Sequence, residues 1–100
     1  MERGGAVYIM TNKRNGTLYV GVTSDLRKRA WRHRNDFYPS CFTARYKCHI
    51  LVYYHSFGRI EESIAEKKRI KGGSRSAKLK LIEENNLQWN DLWTEVENWN

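Results

Sequence analysis

One hundred residues with a mass of 11.9 kDa make one compact unit, taken here as a single domain over residues 1–100, and exclude a two-domain enzyme. Hydrophobic residues at 40%, aromatics at 13%, one proline and seven glycines exclude a disordered or low-complexity chain. No apolar run approaches the ~20 residues of a membrane span, and Met1-Glu2-Arg3-Gly4-Gly5 lacks the basic-then-apolar design of a secretion signal, so a cytoplasmic protein without a membrane partner is expected.

The formal charge of +7 is unevenly placed. All 18 Lys and Arg lie in residues 1–80 beside six acids, whereas residues 81–100 hold five acids and no Lys or Arg. Such a basic body attracts polyanions, phosphate backbones first among them, although a soluble basic surface or an acidic protein partner would carry the same charge. Cys41 and Cys48 have neither disulfide-framework nor zinc-site spacing and are expected to be packing thiols.

Residues 6–10 and 18–22 read as two strands rich in β-branched and aromatic residues. Asn15-Gly16 between them is a strong hairpin signal, because a two-residue type I′ turn needs positive φ at both central positions. With that turn residue 11 faces residue 20. Period-two alternation sends Val7, Ile9, Leu18, Val20 and Val22 to one face and Tyr8, Met10, Tyr19 and Gly21 to the other, where Gly21 leaves room for a close approach.

Thr23 or Ser24 is expected to cap a helix running from Asp25 to about Asn35. At about 100° per residue Leu26, Arg29, Ala30, His33 and Phe37 share its inward stripe. A charged group on that stripe needs a reason. Arg29 is either half of a buried ion pair or a ligand-facing cation, and His33 either a satisfied core histidine or a site residue.

After a loop through Pro39 and Tyr46, residues 50–54 read as a third strand and residues 60–71 as a helix anchored by Ile60, Ile64 and Ile70. Gly72 and Gly73 end that helix, and Ser74 caps a further one reaching about Asn85. Residues 67–80 hold seven Lys and Arg and no acid, a density that suits either a solvated face or phosphate contact. Trp89, Leu92, Trp93, Val96 and Trp99 have helical spacing, so an acidic C-terminal helix over about 88–99 is expected to lie on a core formed by residues 5–85, its tryptophans acting as core clamps.

Ala6-Val7-Tyr8 and Tyr19-Val20-Gly21, eleven residues apart from tyrosine to tyrosine and followed by Arg29 and His33, resemble the GIY-YIG nuclease superfamily. The run from Thr11 to Leu26, then His33-Arg34, Phe42-Thr43, Arg45-Tyr46, Ile70-Lys71-Gly72 and Leu81-Ile82-Glu83 are similar to its small stand-alone bacterial branch. The resemblance covers about nine-tenths of the chain and implies an α/β (α+β) fold, a three-stranded antiparallel sheet flanked by helices. It also implies an endonuclease hydrolysing nucleic-acid phosphodiester bonds with Mg2+ or Mn2+, with DNA ahead of RNA as substrate.

In the roles the resemblance implies, Tyr8 positions or activates the attacking water, Tyr19 assists, Arg29 meets the scissile phosphate and His33 lies beside the site. A glutamate on a later helix would hold the metal. Counted from Ile70-Lys71-Gly72, that place falls on Lys67, with Glu66 one residue earlier. One residue on a helix is a rotation of about 100°. Measured from Ile64, a regular helix aims Lys67 toward the site and Glu66 toward solvent, and Glu66 is retained as the nearest carboxylate able to bind metal. The expected activity is therefore weak, and a non-cleaving nucleic-acid-binding module of the same fold is the alternative. Arg27, Arg32, Lys67, Lys71, Lys78 and Lys80 are the expected contacts to the nucleic-acid backbone.

Overall fold

A computed structural model describes residues 4–99; the N-terminal residues Met1, Glu2 and Arg3, part of the segment read for a secretion signal, lie outside the described residues. Strand β1 (Gly5–Thr11) is central and pairs antiparallel with β2 (Leu18–Thr23) on one side and β3 (Ile50–Phe57) on the other. Helix α1 (Leu26–Arg34) and a short turn of helix, α2 (Phe42–Arg45), precede β3, and helices α3 (Ile60–Lys71), α4 (Arg75–Asn85) and α5 (Trp93–Val96) follow it. The three-stranded antiparallel sheet with flanking helices is the expected architecture.

The alternation of the strands separates two apolar layers. Tyr8 and Met10 of β1 pack with Leu26 and Ala30 of α1, Leu51 of β3 and Val96 of α5. On the opposite face Val7, Ile9 and Val20 pack with Val52 and Tyr53 of β3, Ile70 of α3 and Ile82 of α4. A register shift between Ile9 and Met10 explains why two successive residues, Val52 and Tyr53, serve the same layer.

The hairpin register differs from the expected one by two residues: Thr11 faces Leu18 and Tyr8 faces Gly21. The reason lies in the turn. Gly16 N donates to Lys13 O at 2.9 Å, and Asn15 alone takes a left-handed conformation, φ 58°. The Asn12 side chain accepts from Thr17 N at 2.9 Å, and the Arg75 guanidinium donates to the carbonyls of Asn15 and Gly16 at 2.8 and 2.7 Å. These contacts satisfy a longer loop, so the tight turn is not formed; because the shift is even, the faces keep their residues.

Several element ends also differ from expectation. Asp25 is itself the N-cap of α1, accepting from Lys28 N at 3.2 Å, while Thr23 Oγ1 accepts from Asp25 N in the preceding turn. The helix ends at Arg34, and the left-handed Asp36 turns the chain outward, leaving Phe37 52% exposed and off the inward stripe. Ile64 is exposed on α3, whose inward line runs through Ser63 and Ile70. Strand β3 continues three residues past Tyr54, while α4 begins after the expected cap, Ser74 Oγ accepting from Ala77 N at 3.0 Å.

The C-terminal helix shrinks to four residues. Trp89 is left-handed at φ 56° and buries in the Val7 layer, whereas Leu92 and Trp93 pack in the Tyr8 layer. Asp91 stops a longer helix by local bonding: it pairs with Arg34 and accepts from Leu51 N and Trp93 N.

Candidate functional site

The sheet parity and the α1 stripe bring four of the sequence-predicted residues together. Tyr8 lies in the middle of β1, Tyr19 on the neighbouring strand, and Arg29 and His33 one helical turn apart on α1. The Tyr8 hydroxyl and His33 Nε2 are 2.9 Å apart, and His33 Nδ1 lies 2.8 Å from Thr43 Oγ1. Ring centroids of Tyr8 and Tyr19 are separated by 6.2 Å, and those of Tyr19 and His33 by 5.4 Å in an edge-on contact.

Burial, helped by the Arg29 cation, lowers the His33 imidazole from its ordinary value to about 4, so it is neutral at physiological pH. Burial raises the Tyr8 phenol far above its ordinary value; the Tyr19 hydroxyl adds to this and Arg29 only partly opposes it. Tyr8 is therefore a phenol and not a phenolate. The tautomer protonated at Nδ1 satisfies both bonds, with Tyr8 O–H donating to Nε2 and Nδ1–H donating to Thr43 Oγ1. Thr43 Oγ1 is also 3.1 Å from Cys41 Sγ. Thr43 is the partner sequence reasoning missed, since no periodicity links a residue of an unforeseen helical turn to α1.

Arg29 is half-buried, and its guanidinium makes no hydrogen bond or ion pair among the described residues. The buried-ion-pair reading thus does not hold. Its guanidinium acts electrostatically on Tyr8 and His33 and offers its donors to an anion beside them.

Gly21 is closed from within. A Cβ placed there would lie 2.4 Å from Tyr8 Cζ and Oη, so the room expected for an approaching ligand is occupied by the Tyr8 ring. Gly21→Ala is accordingly expected to destabilise the fold by about 1–3 kcal/mol through overpacking. It should also shift the Tyr8 hydroxyl from His33. A lowered urea midpoint with unchanged slope would establish the first effect.

The later basic and acidic candidates lie in the other layer. Ile70 anchors α3 against the Val7 face, opposite Tyr8. Glu66 does not point freely into solvent: Arg69 clamps both its oxygens at 2.7 Å and holds its carboxyl below the ordinary value. The ammonium of Lys67, which lies within about 40° of the Ser63 line, makes no hydrogen bond or ion pair among the described residues. The Lys71 ammonium is likewise exposed and unbonded, whereas Lys78 Nζ donates to Gly73 O at 2.7 Å across the α3–α4 junction and Lys80 lies 3.9 Å from Glu84. On α1, Arg27 donates to Glu97 O at 2.7 Å and Arg32 stacks over Phe37 and Tyr38. The basic residues thus divide between two sides of the sheet.

Among the described residues no group of three His, Cys, Asp or Glu could hold a metal ion. Cys48 is buried, its thiol raised to about 11, and both cysteines are free. No helix among the described residues is long and apolar enough to cross a membrane.

The sheet order, the two tyrosines on one face of neighbouring strands and the Arg29–His33 turn fit a nuclease-type domain. The GIY-YIG catalytic domain family matches residues 4–81, and the chain belongs to that family, whose substrate class is nucleic acid. A UPF0213 protein of Staphylococcus saprophyticus is 36% identical over 78 residues, which cover 78% of this chain and 93% of that protein. A UPF0213 protein of Bacillus halodurans, solved by NMR in solution, shares the fold with a TM-score of 0.56 at 24% identity, covering 88% of this chain and 92% of that one.

Proposed function

We propose that the chain binds DNA through backbone phosphates at the Arg29 cluster and hydrolyses a phosphodiester bond there as a weak endonuclease. The observation that supports this reading is the Arg29 guanidinium, unpaired among the described residues, beside a hydrogen-bonded phenol and imidazole. Arg29 neutralises the non-bridging oxygens of the phosphate, in a partly dry setting where a charge-assisted bond is strong. Tyr8, held by His33, orients the attacking water. The water oxygen bonds to phosphorus as the P–O bond to the leaving sugar oxygen breaks. The water's proton passes to the phenol oxygen as Tyr8 hands its own proton to neutral His33 Nε2, so no phenolate is needed beforehand. The leaving oxygen takes a proton from solvent, while His33 returns its own to solvent through Tyr8. Tyr19 packs the cluster from the adjacent strand and supplies a second hydroxyl.

Mg2+ or Mn2+ is the expected cofactor of this chemistry, and the residues present do not fit a resident ion. Glu66 is committed to Arg69, and the neighbouring position carries an ammonium. Both residues also stand on α3, packed against the Val7 layer and across the sheet from Tyr8, so neither reaches an ion held beside Arg29. The steps above are therefore assigned to this chain's own groups. The same placement favours the second reading, a non-cleaving module in which Lys67 supplies fixed positive charge on the α3 side of the sheet to a phosphate other than the one at Arg29.

Cleavage of single-stranded, duplex and branched DNA and of RNA, with Mg2+, with Mn2+ and with chelator, tests the first reading. Slow cleavage that requires Arg29 supports it. Salt-sensitive binding without any cleavage supports the second reading, and binding indifferent to salt removes both. Lys67→Glu, which places a carboxylate beside Glu66 across the sheet from Arg29, is expected to raise Mn2+ affinity while altering the cleavage rate less than about twofold. Glu66→Ala should alter the rate less than about twofold, because the carboxylate is held by the exposed Arg69 on the side of the sheet away from Arg29. Titration calorimetry with Mn2+ reads the first change and cleavage rates read both. Loss of cleavage in Glu66→Ala would instead make Glu66 the working ligand.

A further inference from the structure

The rings of the site continue outward. Tyr19 lies 5.8 Å from Phe42, and Phe42 lies 4.6 Å from Tyr46, between ring centroids. Phe42 and Tyr46 are each 44% exposed, so this aromatic path starts at the buried Tyr8 and ends in solvent. Large aromatics left open to water on a small basic domain mark a contact surface. The chemistry of the surrounding surface identifies the kind of partner. The nearby acid Asp36 lies 2.7 Å from His49 Nε2, no other acid occurs from Asp36 to Ile60, and Arg45 and Lys47, both exposed, make no ion pair among the described residues.

We propose that Phe42 and Tyr46 form a stacking platform for unpaired nucleobases, so that the substrate of the Arg29 site is a single-stranded segment of nucleic acid. This rests on the Arg29 cluster being where the phosphate is bound. An aromatic face joined to unpaired cations fits a strand that presents bases and phosphates together. A duplex keeps its bases stacked on one another and offers these rings only backbone. An acidic protein would use the cations but would leave the rings without matching planar groups. Stacking is tolerant of base identity, so the platform selects strand state and not sequence.

The test uses fluorescence anisotropy with three labelled probes of equal length: a single-stranded oligothymidylate, its duplex with oligoadenylate, and an abasic strand carrying the same phosphates. The expected result is binding to the single strand at least tenfold tighter than to either other probe. Phe42→Ala/Tyr46→Ala should reduce that preference to under about threefold while leaving abasic affinity and its salt dependence in place. Phe42→Trp should retain the preference. Both replaced side chains lie at the surface, each 44% exposed, and far-UV circular dichroism checks that the double variant folds.

Equal binding of the three probes by the wild-type chain, or an undiminished preference in the folded double variant, would overturn the platform. A double variant that fails to fold would also overturn it by making the rings structural. Sedimentation showing that the double substitution converts a dimer to a monomer would assign the surface to self-association instead. Loss of abasic binding in Arg29→Ala supports the phosphate site independently. Abasic binding unchanged in Arg29→Ala, together with an intact single-strand preference, would reject the phosphate assignment while leaving the stacking surface.

Discussion

Arg29→Ala is expected to lower the rate of nucleic-acid cleavage by on the order of 10²–10³-fold while moving the unfolding midpoint little. The side chain is half-buried, pairs with nothing among the described residues, and leaves no acid stranded when removed. Its removal also takes away the cation that helps keep His33 neutral and partly offsets the raised Tyr8 phenol. Tyr8→Phe should lower the rate comparably, but at a different cost to stability. The phenol O–H is buried against His33 Nε2, so its loss leaves a buried acceptor unmatched and costs about 1–3 kcal/mol. Single-turnover rates and urea midpoints for both variants separate the roles. A wild-type rate in folded Arg29→Ala would remove the assignment.

The second large effect is acid destabilisation through His33. Its imidazole titrates at about 4 in the folded chain against 6.5 when unfolded, because burial penalises the charged ring. Between those values the unfolded chain binds more protons, so stability rises with pH. The contribution is fully present above about pH 6.5 and is lost as pH falls through about 4, an effect of about 3 kcal/mol from the size of the shift. Glu66, held low by Arg69, acts in the same direction. A paired comparison therefore isolates the histidine: from pH 7.5 to 4 the wild-type midpoint should fall steeply, whereas His33→Gln should show a shallower slope from a lower starting stability. Parallel curves would place the acid sensitivity elsewhere.

Much of the site was legible in the sequence because it depends on periodicity. Alternation placed Tyr8 and Tyr19 on one face whatever the hairpin register, and the helical repeat placed Arg29 and His33 on one stripe. What was illegible depended on side chains bonding to the backbone. Asn12 and Arg75 satisfy a six-residue loop in place of the tight turn that Asn15-Gly16 signals, and Asp91 ends the helix that the tryptophan spacing suggests. The phase of α3 was misread for another reason. Ile64 is apolar, but the small Ser63 is what lets the helix approach Gly5, whose added Cβ would lie 2.3 Å from Ser63 Oγ. Glu66 therefore lies on the flank of the buried line and not toward solvent.

The Asp91 junction also bears on self-association. Strand β3 is the outer strand on its side of the sheet, and such an edge is a template for another chain's backbone. The C-terminal segment occupies that template: Leu51 N donates to Asp91 Oδ1 at 3.3 Å, Leu92 N donates to Leu51 O at 2.7 Å, and the Asn86 side chain donates to Val52 O at 3.0 Å. The Arg34 ion pair fixes Asp91 in place from α1. The acidic tail thus works as a selvedge, a finished border over Leu51 and Val52 that keeps this stretch of the sheet from being extended by a neighbour, and detaching it would open that stretch to edge-to-edge aggregation.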